Sequence, residues 1–208
     1  YDLIGYDPRG TGHSDAVRCL TDQERDAWLY DIIPGERGSK EWLAAYTEAA
    51  ADFGAQCAEN TGPLLEHIDT ESTTRDLDML RAAVGDTKLN YLGYSYGTFL
   101  GAIYADNFPD KVGRMVLDGA EDPRSSGFDI TISQAAGFET ALDAYIAHCE
   151  EDGCGFGDQD AGAVIDEVSA AAEQAPIAAP GADRDAGPAV VSLALAQALY
   201  SQQLWGSL

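Results

Sequence analysis

Basic residues are scarce in this sequence. The 208-residue chain has 12 Lys and Arg residues against 36 Asp and Glu residues, which gives a formal net charge of −24 at pH 7. A field of this sign repels polyphosphates and anionic lipid headgroups at long range. We therefore expect neither nucleic acid nor a membrane surface as a partner.

Long apolar runs are missing as well. No run approaches the roughly 18 residues that a membrane-spanning helix needs, and no signal peptide opens the sequence. Hydrophobic residues nevertheless make up 45% of the chain, which argues against a disordered protein. The length allows one to two domains with a buried core.

The first part of the chain alternates between strand-like and helical patterns. Short apolar runs predict strands at 1–6, 89–94 and 112–117. Apolar residues at steps of three and four predict helices at 21–60, 73–84 and 97–108. Pro34-Gly35 breaks the first helical stretch, and Gly85 lies where a helix end needs a left-handed residue. This alternation predicts a parallel sheet with crossover helices.

After Pro123 the pattern changes to helices alone. The periodicity predicts helices at 130–150, 160–175 and 189–205, and no convincing strand follows. Residues 175–188 contain three prolines and two glycines, which predicts an exposed connection.

The segment Gly93-Tyr94-Ser95-Tyr96-Gly97 matches the G-x-S-x-G pattern of a nucleophile elbow. A serine at a sharp turn between strand and helix has a strained backbone, so the residues two before and two after it must be very small. The turn lifts the Ser95 hydroxyl above the sheet edge. It also points the Tyr96 backbone N–H, at a helix N-terminus, toward the place where an oxyanion forms. The alternative is a glycine-rich structural turn.

Four segments in about the first 123 residues occur in a specific combination: 7–14 (DPRGTGHS), 73–78 (TTRDLD), 89–98 (LNYLGYSYGT) and 114–119 (RMVLDG). Together they resemble the proline-iminopeptidase group of alpha/beta-hydrolases. The resemblance is closer still to the secreted tripeptidyl aminopeptidases of actinobacteria.

The resemblance implies an α/β fold. Residues 1–123 would form an incomplete alpha/beta-hydrolase core, a parallel sheet with helices on both faces. Residues 124–208 would form the start of a helical lid. It also implies an exopeptidase that releases short peptides, often tripeptides, from free N-termini through an acyl-serine intermediate. Ser95 would be the nucleophile and the Tyr96 N–H half of the oxyanion hole. Neither a cofactor nor a metal is implied.

A general base for Ser95 is hard to find among only three histidines. His148 falls in the lid-like stretch, His13 in the turn after the first strand, and His67 before a helix. Asp118 ends the strand after the elbow helix, where some hydrolases place the triad acid, although a structural role is favoured.

The resemblance puts the acid and base beyond Leu208, and the other half of the oxyanion hole, a His-Gly-Gly-Pro-Gly type loop, before residue 1. We therefore expect the remainder of the same enzyme as a partner of this segment. We also expect residues 1–208 alone to be poorly folded and inactive.

The four cysteines suggest two disulfides. Cys149 and Cys154 suit a small loop, and Cys19 and Cys57 bracket the helical insertion after the first strand. Four cysteines allow three pairings, and zinc binding or free thiols are the alternatives. Disulfides imply an oxidising, extracellular setting, which agrees with the resemblance to a family of secreted enzymes.

A substrate with a free N-terminus needs carboxylates for its ammonium group. Glu121 and Asp122 follow the strand after the elbow helix, and Glu139 lies on the first lid-like helix, although each is more simply read as a solvated surface acid. Tyr94 and Tyr96 flank the nucleophile and would either line an acyl pocket or pack on the sheet.

Two other functions stay open. An esterase or lipase-like hydrolase would use the same elbow, but the many acids of the lid-like segment favour peptides. A non-catalytic binding or scaffold protein could retain the elbow after losing its base.

Overall fold

The computed structural model describes residues 2–208, with the backbone alone for Ser207. The chain divides into two compact units. The first unit comprises the residues up to Leu20 together with Ala51–Ile130, and the second comprises Thr21–Ala50 together with Thr131–Leu208. The division into a core at 1–123 and a lid at 124–208 stays a prediction.

Seven α-helices and two strands are formed by the described residues. In chain order they are α1 (Asp22–Tyr30), α2 (Lys40–Thr61), α3 (Thr70–Ala83), β1 (Leu89–Tyr94), α4 (Tyr96–Asn107), β2 (Val112–Asp118), α5 (Gly127–Asp152), α6 (Ala161–Gln174) and α7 (Pro188–Leu199). Short 3₁₀ turns occupy Gly62–His67, Pro109–Lys111 and Gln202–Ser207. No helix within residues 2–208 has both the length and the apolarity to cross a membrane.

The parallel sheet predicted from the sequence is confirmed, with α4 as the crossover helix. β1 and β2 pair in parallel, with Leu89 opposite Val112 and Tyr94 opposite Asp118. α4 can lie close to the sheet because it carries Gly101. A Cβ at this position would lie 2.8 Å from side-chain atoms of both Leu117 and Tyr91.

The core of the first unit lies between the sheet and the helices α3 and α4. Its buried centre consists of Leu77, Leu89 and Tyr104, with partly buried hydrophobic residues around it: Tyr6, Tyr91, Phe108, Val112 and Met115. The Tyr104 hydroxyl donates a hydrogen bond to Asp78 on α3 (2.9 Å). This contact joins α3 to α4, so the core fixes the helix that begins directly after Ser95.

The strand predicted at 1–6 is not formed. Tyr1 lies outside the described residues, and residues 2–6 pair with no strand in the rest of the described chain. Leu3 is 92% exposed and Ile4 is 61% exposed. An extended segment becomes a strand only when a neighbour accepts and donates its backbone hydrogen bonds. The sheet among the described residues therefore has two strands and not three.

The second unit consists of helices, as predicted, although their ends differ. Thr21 caps α1, because its hydroxyl accepts the Glu24 N–H while the Glu24 carboxylate accepts the Thr21 N–H. The helix predicted at 189–205 ends at Leu199, and a 3₁₀ turn follows it. The predicted connection at 175–188 contains an isolated antiparallel bridge between Ile177 and Ala186.

Both predicted disulfides are bonded. Cys19 is joined to Cys57 within the first unit, and Cys149 to Cys154 within the second. No described cysteine is left free. In the first unit the bond joins the residues before Thr21 to those after Ala50, so it ties together the two chain segments that build this unit.

Candidate active site

Ser95 lies at the turn between β1 and α4 in a strained backbone conformation. Its φ is 50° and its ψ is −122°. It is the one non-glycine residue with a positive φ in the described part of the chain. Such a conformation costs on the order of 1–3 kcal/mol and persists only where the surroundings hold it. The turn leaves Ser95 exposed at the carboxyl end of β1.

The two glycines of the motif meet different demands. A Cβ at Gly93 would lie 2.4 Å from the Gly97 carbonyl oxygen, so only glycine fits there. A Cβ at Gly97 would have the Tyr91 hydroxyl as its nearest neighbour, at 3.3 Å. The requirement for a small residue is therefore strict at Gly93 and loose at Gly97.

Hydrogen bonds fix both backbone groups of Ser95. Its N–H donates to the carbonyl of Asp118 at the end of β2 (3.1 Å). Its carbonyl accepts the Thr98 N–H (2.8 Å) and the Thr98 hydroxyl (2.7 Å). The Tyr91 hydroxyl donates to the Gly97 carbonyl (2.8 Å), which braces the first turn of α4 from the sheet side. These bonds explain how the strained turn is held.

Tyr96 is the first residue of α4, as the oxyanion-hole prediction requires. Backbone N–H groups in the first turn of a helix have no partner within the helix and carry partial positive charge. The Tyr96 side chain turns to the neighbouring helix, where its hydroxyl lies 2.8 Å from the Thr70 hydroxyl. Tyr94 on the other flank is 63% exposed. The oxyanion role of the Tyr96 N–H stays a prediction.

The Asp7–Ser14 turn is attached to α3 by one ion pair. Arg9 donates two hydrogen bonds to the Asp76 carboxylate, at 2.8 and 2.7 Å, and a third to the His67 carbonyl. Gly12 has a φ of 54°, and a Cβ there would lie 2.2 Å from the Asp7 carboxylate. Arg9 and Gly12, which belong to the DPRGTGHS segment, therefore have contacts that stabilise the turn and its attachment to α3.

None of the three histidines bonds to Ser95 within residues 2–208. His13 is fully exposed and lies 3.2 Å from the Asp7 carboxylate. A hydrogen bond from the His13 backbone N–H is the main cause that lowers the pKa of Asp7. His148 belongs to the second unit, where it pairs with Asp152 (3.0 Å) and contacts Trp205.

The acidic candidates differ in their surroundings. Asp122 already has a cation partner, since Arg124 lies 2.9 Å away and its side-chain hydrogen bonds lower the pKa of Asp122 to about 2. Glu121 is half-buried, and its carboxylate has no bonded partner among the described residues. Glu139 lies exposed on α5 in the second unit, and the Asp118 side chain is exposed at the end of β2.

Sequence reasoning missed two residues that support the elbow, Tyr91 and Thr98. A threonine three residues after Ser95 is close enough on a helix for its hydroxyl to reach back to the Ser95 carbonyl, so the spacing did contain this signal. The sequence contained no signal for the Tyr91 bond, which depends on how α4 lies against the sheet. Within residues 2–208 no group of three or more His, Cys, Asp or Glu side chains is placed to hold a metal ion.

Several known hydrolases and proteases are similar to this chain in sequence. Over 167 residues (79% of this chain and 32% of the relative) the sequence is 40% identical to serine protease Hip1 of Mycobacterium tuberculosis. Over 124 residues (59% and 22%) it is 47% identical to a tripeptidyl aminopeptidase of Streptomyces lividans. Over 153 residues (72% and 29%) it is 40% identical to carboxylesterase B of Mycobacterium tuberculosis.

The chain spans a third or less of the length of these relatives. Residues 1–162 match the family described as alpha/beta hydrolase fold, which covers the turn at Asp7–Ser14, the elbow and both strands. This match agrees with the parallel pair of strands, the crossover helix and the strained serine between them. The chain therefore belongs to the alpha/beta-hydrolase family.

Proposed function

We propose that this chain is the nucleophile-bearing part of a secreted serine exopeptidase that releases short peptides, such as tripeptides, from free N-termini. The observation that carries the proposal is the strained Ser95 at the strand–helix turn, with the N–H groups of α4 behind it. The similarity to a tripeptidyl aminopeptidase and to a serine protease supports peptide chemistry. The two disulfides support an oxidising, extracellular location.

In the proposed reaction the Ser95 Oγ attacks the scissile carbonyl carbon and forms a C–O bond. A histidine outside residues 1–208 takes the hydroxyl proton and delivers it to the leaving amine as the C–N bond breaks. The Tyr96 N–H donates to the oxyanion that forms on the carbonyl oxygen. Water then hydrolyses the acyl-serine ester and releases the peptide.

Glu121 is the best placed of the three acids to bind the substrate ammonium. It is half-buried, where a charge pair is less screened by solvent, and its carboxylate has no bonded partner among the described residues. Asp122 is already paired with Arg124. We keep Asp122 and Glu139 as further candidates.

The test uses the full-length protein that contains this segment. We expect it to hydrolyse a tripeptide p-nitroanilide with a free N-terminus and to hydrolyse the N-acetylated substrate far more slowly. Ser95→Ala should lower kcat by about 10⁴-fold or more and abolish labelling by a fluorophosphonate probe. Ser133→Ala, at an exposed serine on α5, is the matched control and should behave as the wild type.

A serine esterase is the second candidate, favoured by the similarity to carboxylesterase B. The same assay separates the two, because an esterase would hydrolyse short p-nitrophenyl esters and leave the p-nitroanilides intact. A wild-type protein that the probe does not label at Ser95 would point to a non-catalytic scaffold and would contradict both enzymatic functions.

A further inference from the structure

One buried hydroxyl connects the nucleophile to the loop that follows β2. Thr98 is 1% exposed. Its Oγ1 donates a hydrogen bond to the Ser95 carbonyl (2.7 Å) and accepts one from the Glu121 N–H (3.0 Å). The hydroxyl therefore uses both its donor and its acceptor capacity, and it joins two backbone groups that are 26 residues apart in sequence.

The two ends of this connection depend on the hydroxyl to different degrees. The Ser95 carbonyl also accepts the Thr98 N–H at 2.8 Å, and the Ser95 N–H is bonded to Asp118, so the elbow keeps support without the hydroxyl. The Glu121 N–H has the Thr98 hydroxyl as its partner in the described chain. Loss of the hydroxyl should therefore release Glu121 more than Ser95.

We propose that Thr98 is a positioning residue that holds Glu121 at a fixed distance from Ser95 and thereby sets the preference for substrates with a free N-terminal ammonium. This inference rests on the proposed function. A short peptide that binds through its ammonium at Glu121 has its scissile carbonyl at Ser95 only if the two residues keep their spacing. The Thr98 side chain is hydrogen-bonded to the backbone of both residues.

The experiment compares Thr98→Val, which replaces the hydroxyl with a methyl group of similar size, with Thr98→Ser, which retains the hydroxyl. Both variants are made in the full-length protein. Thr73→Val is the matched control, because it removes another buried threonine hydroxyl, one bonded to the Asp69 carbonyl at the start of α3. Each variant is assayed with a free tripeptide p-nitroanilide, its N-acetylated form and p-nitrophenyl acetate.

We expect Thr98→Val to raise KM for the free tripeptide about tenfold, the effect of one lost buried hydrogen bond. The change with the acetylated peptide and with p-nitrophenyl acetate should be clearly smaller, because neither contains an ammonium group and the Thr98 N–H and Asp118 still hold the Ser95 backbone. Thr98→Ser should restore the wild-type KM, and Thr73→Val should leave it unchanged. A merely structural role for Thr98 would not give this split between substrates.

Three results would overturn the inference. An unchanged KM in Thr98→Val would show that Glu121 does not depend on the hydroxyl. Equal losses of activity with all three substrates would show that Thr98 only supports the elbow. A wild-type enzyme with no preference for substrates with a free N-terminus would contradict both the proposed function and this inference. If Thr98→Val does not fold, Thr98→Ala against Thr98→Ser provides the same comparison without added bulk.

Discussion

At the scale of single residues, the strain at Ser95 is balanced by contacts of its neighbours. The backbone of Ser95 is held by Asp118 and Thr98, and Gly93 allows the strand to pass against the first turn of α4. A strained backbone conformation of this kind persists only where the surroundings leave no relaxed alternative. The strained turn at Ser95 therefore requires the backbone of β1 at Gly93 to lie directly against the Gly97 carbonyl of α4.

We expect Gly93→Ala to disrupt the elbow, because the new Cβ would lie 2.4 Å from the Gly97 carbonyl oxygen. The predicted cost is about 1–3 kcal/mol of folding stability, typical of overpacking, together with the loss of fluorophosphonate labelling at Ser95. The measurements are thermal denaturation and labelling rate in the full-length protein.

Gly97→Ala is the control for this prediction. Its Cβ would meet only the Tyr91 hydroxyl, at 3.3 Å, and alanine is favoured over glycine within a helix. We expect it to stay within about 1 kcal/mol of the wild type. If both variants lost labelling equally, the difference between the two glycines would be refuted.

At the scale of elements, a polar network buried at the contact between α3 and α4 supports the elbow helix. Asp78 accepts hydrogen bonds from Arg81 Nε (2.7 Å) and from the Tyr104 hydroxyl (2.9 Å). The Arg81 side chain is 8% exposed and Asp78 is 23% exposed. Removing the Asp78 carboxylate would leave the buried Arg81 Nε and the Tyr104 hydroxyl without this acceptor, which costs more than the pair contributes.

This network predicts an acid-sensitive contact between α3 and α4. The Arg81 hydrogen bond, followed by the Tyr104 hydrogen bond and the Arg81 charge, lowers the pKa of Asp78 below its usual 3.8. The folded-state pKa lies below the unfolded one, so the carboxylate contributes stability that is fully present above pH 3.8. That contribution is lost as the pH falls through the folded-state pKa.

The measurement is the melting temperature of the wild type and of Asp78→Asn, from about pH 6 down to about pH 2. The wild type should be more stable at the upper end of this range, and the difference should shrink as Asp78 becomes protonated. A difference that stayed constant down to the lowest pH would show that the Asp78 charge does not stabilise the fold.

At the scale of the whole molecule, the two disulfides act on loops of very different length. Cys19–Cys57 spans a sequence separation of 38, and Cys149–Cys154 spans 5. Chain-entropy arguments assign about 4 kcal/mol to a loop of the longer size and about 2 kcal/mol to the shorter. The longer one also ties together the two segments of the first unit, which contains Ser95.

We therefore expect the double variant Cys19→Ser/Cys57→Ser to lose more stability than Cys149→Ser/Cys154→Ser. The first should lower the free energy of unfolding by about 4 kcal/mol and the second by about 2 kcal/mol. Denaturant unfolding of the full-length protein measures both. Equal losses would show that loop length does not determine the contribution of these bonds.

The sequence by itself determined the local features. Periodicity identified the helices and the parallel pair β1 and β2, because apolar spacing reflects which face of an element is buried. The G-x-S-x-G spacing located Ser95 and Tyr96, since the strained turn tolerates only small residues around the serine. Cysteine spacing indicated both disulfides. The helices, strands and elbow depend on residues that are close in the chain. The disulfides were indicated by the number and positions of the cysteines.

Only the tertiary structure decided the contacts between distant segments. It left residues 2–6 without a strand partner in the described part of the chain, and it brought α4 against the sheet so closely that a Cβ at Gly101 would lie 2.8 Å from side-chain atoms of Leu117 and Tyr91. It also placed the Thr98 hydroxyl between Ser95 and the loop after β2. Such contacts depend on how closely α4 approaches the sheet, and that distance is set by packing across the core, which a pattern of neighbouring residues does not contain.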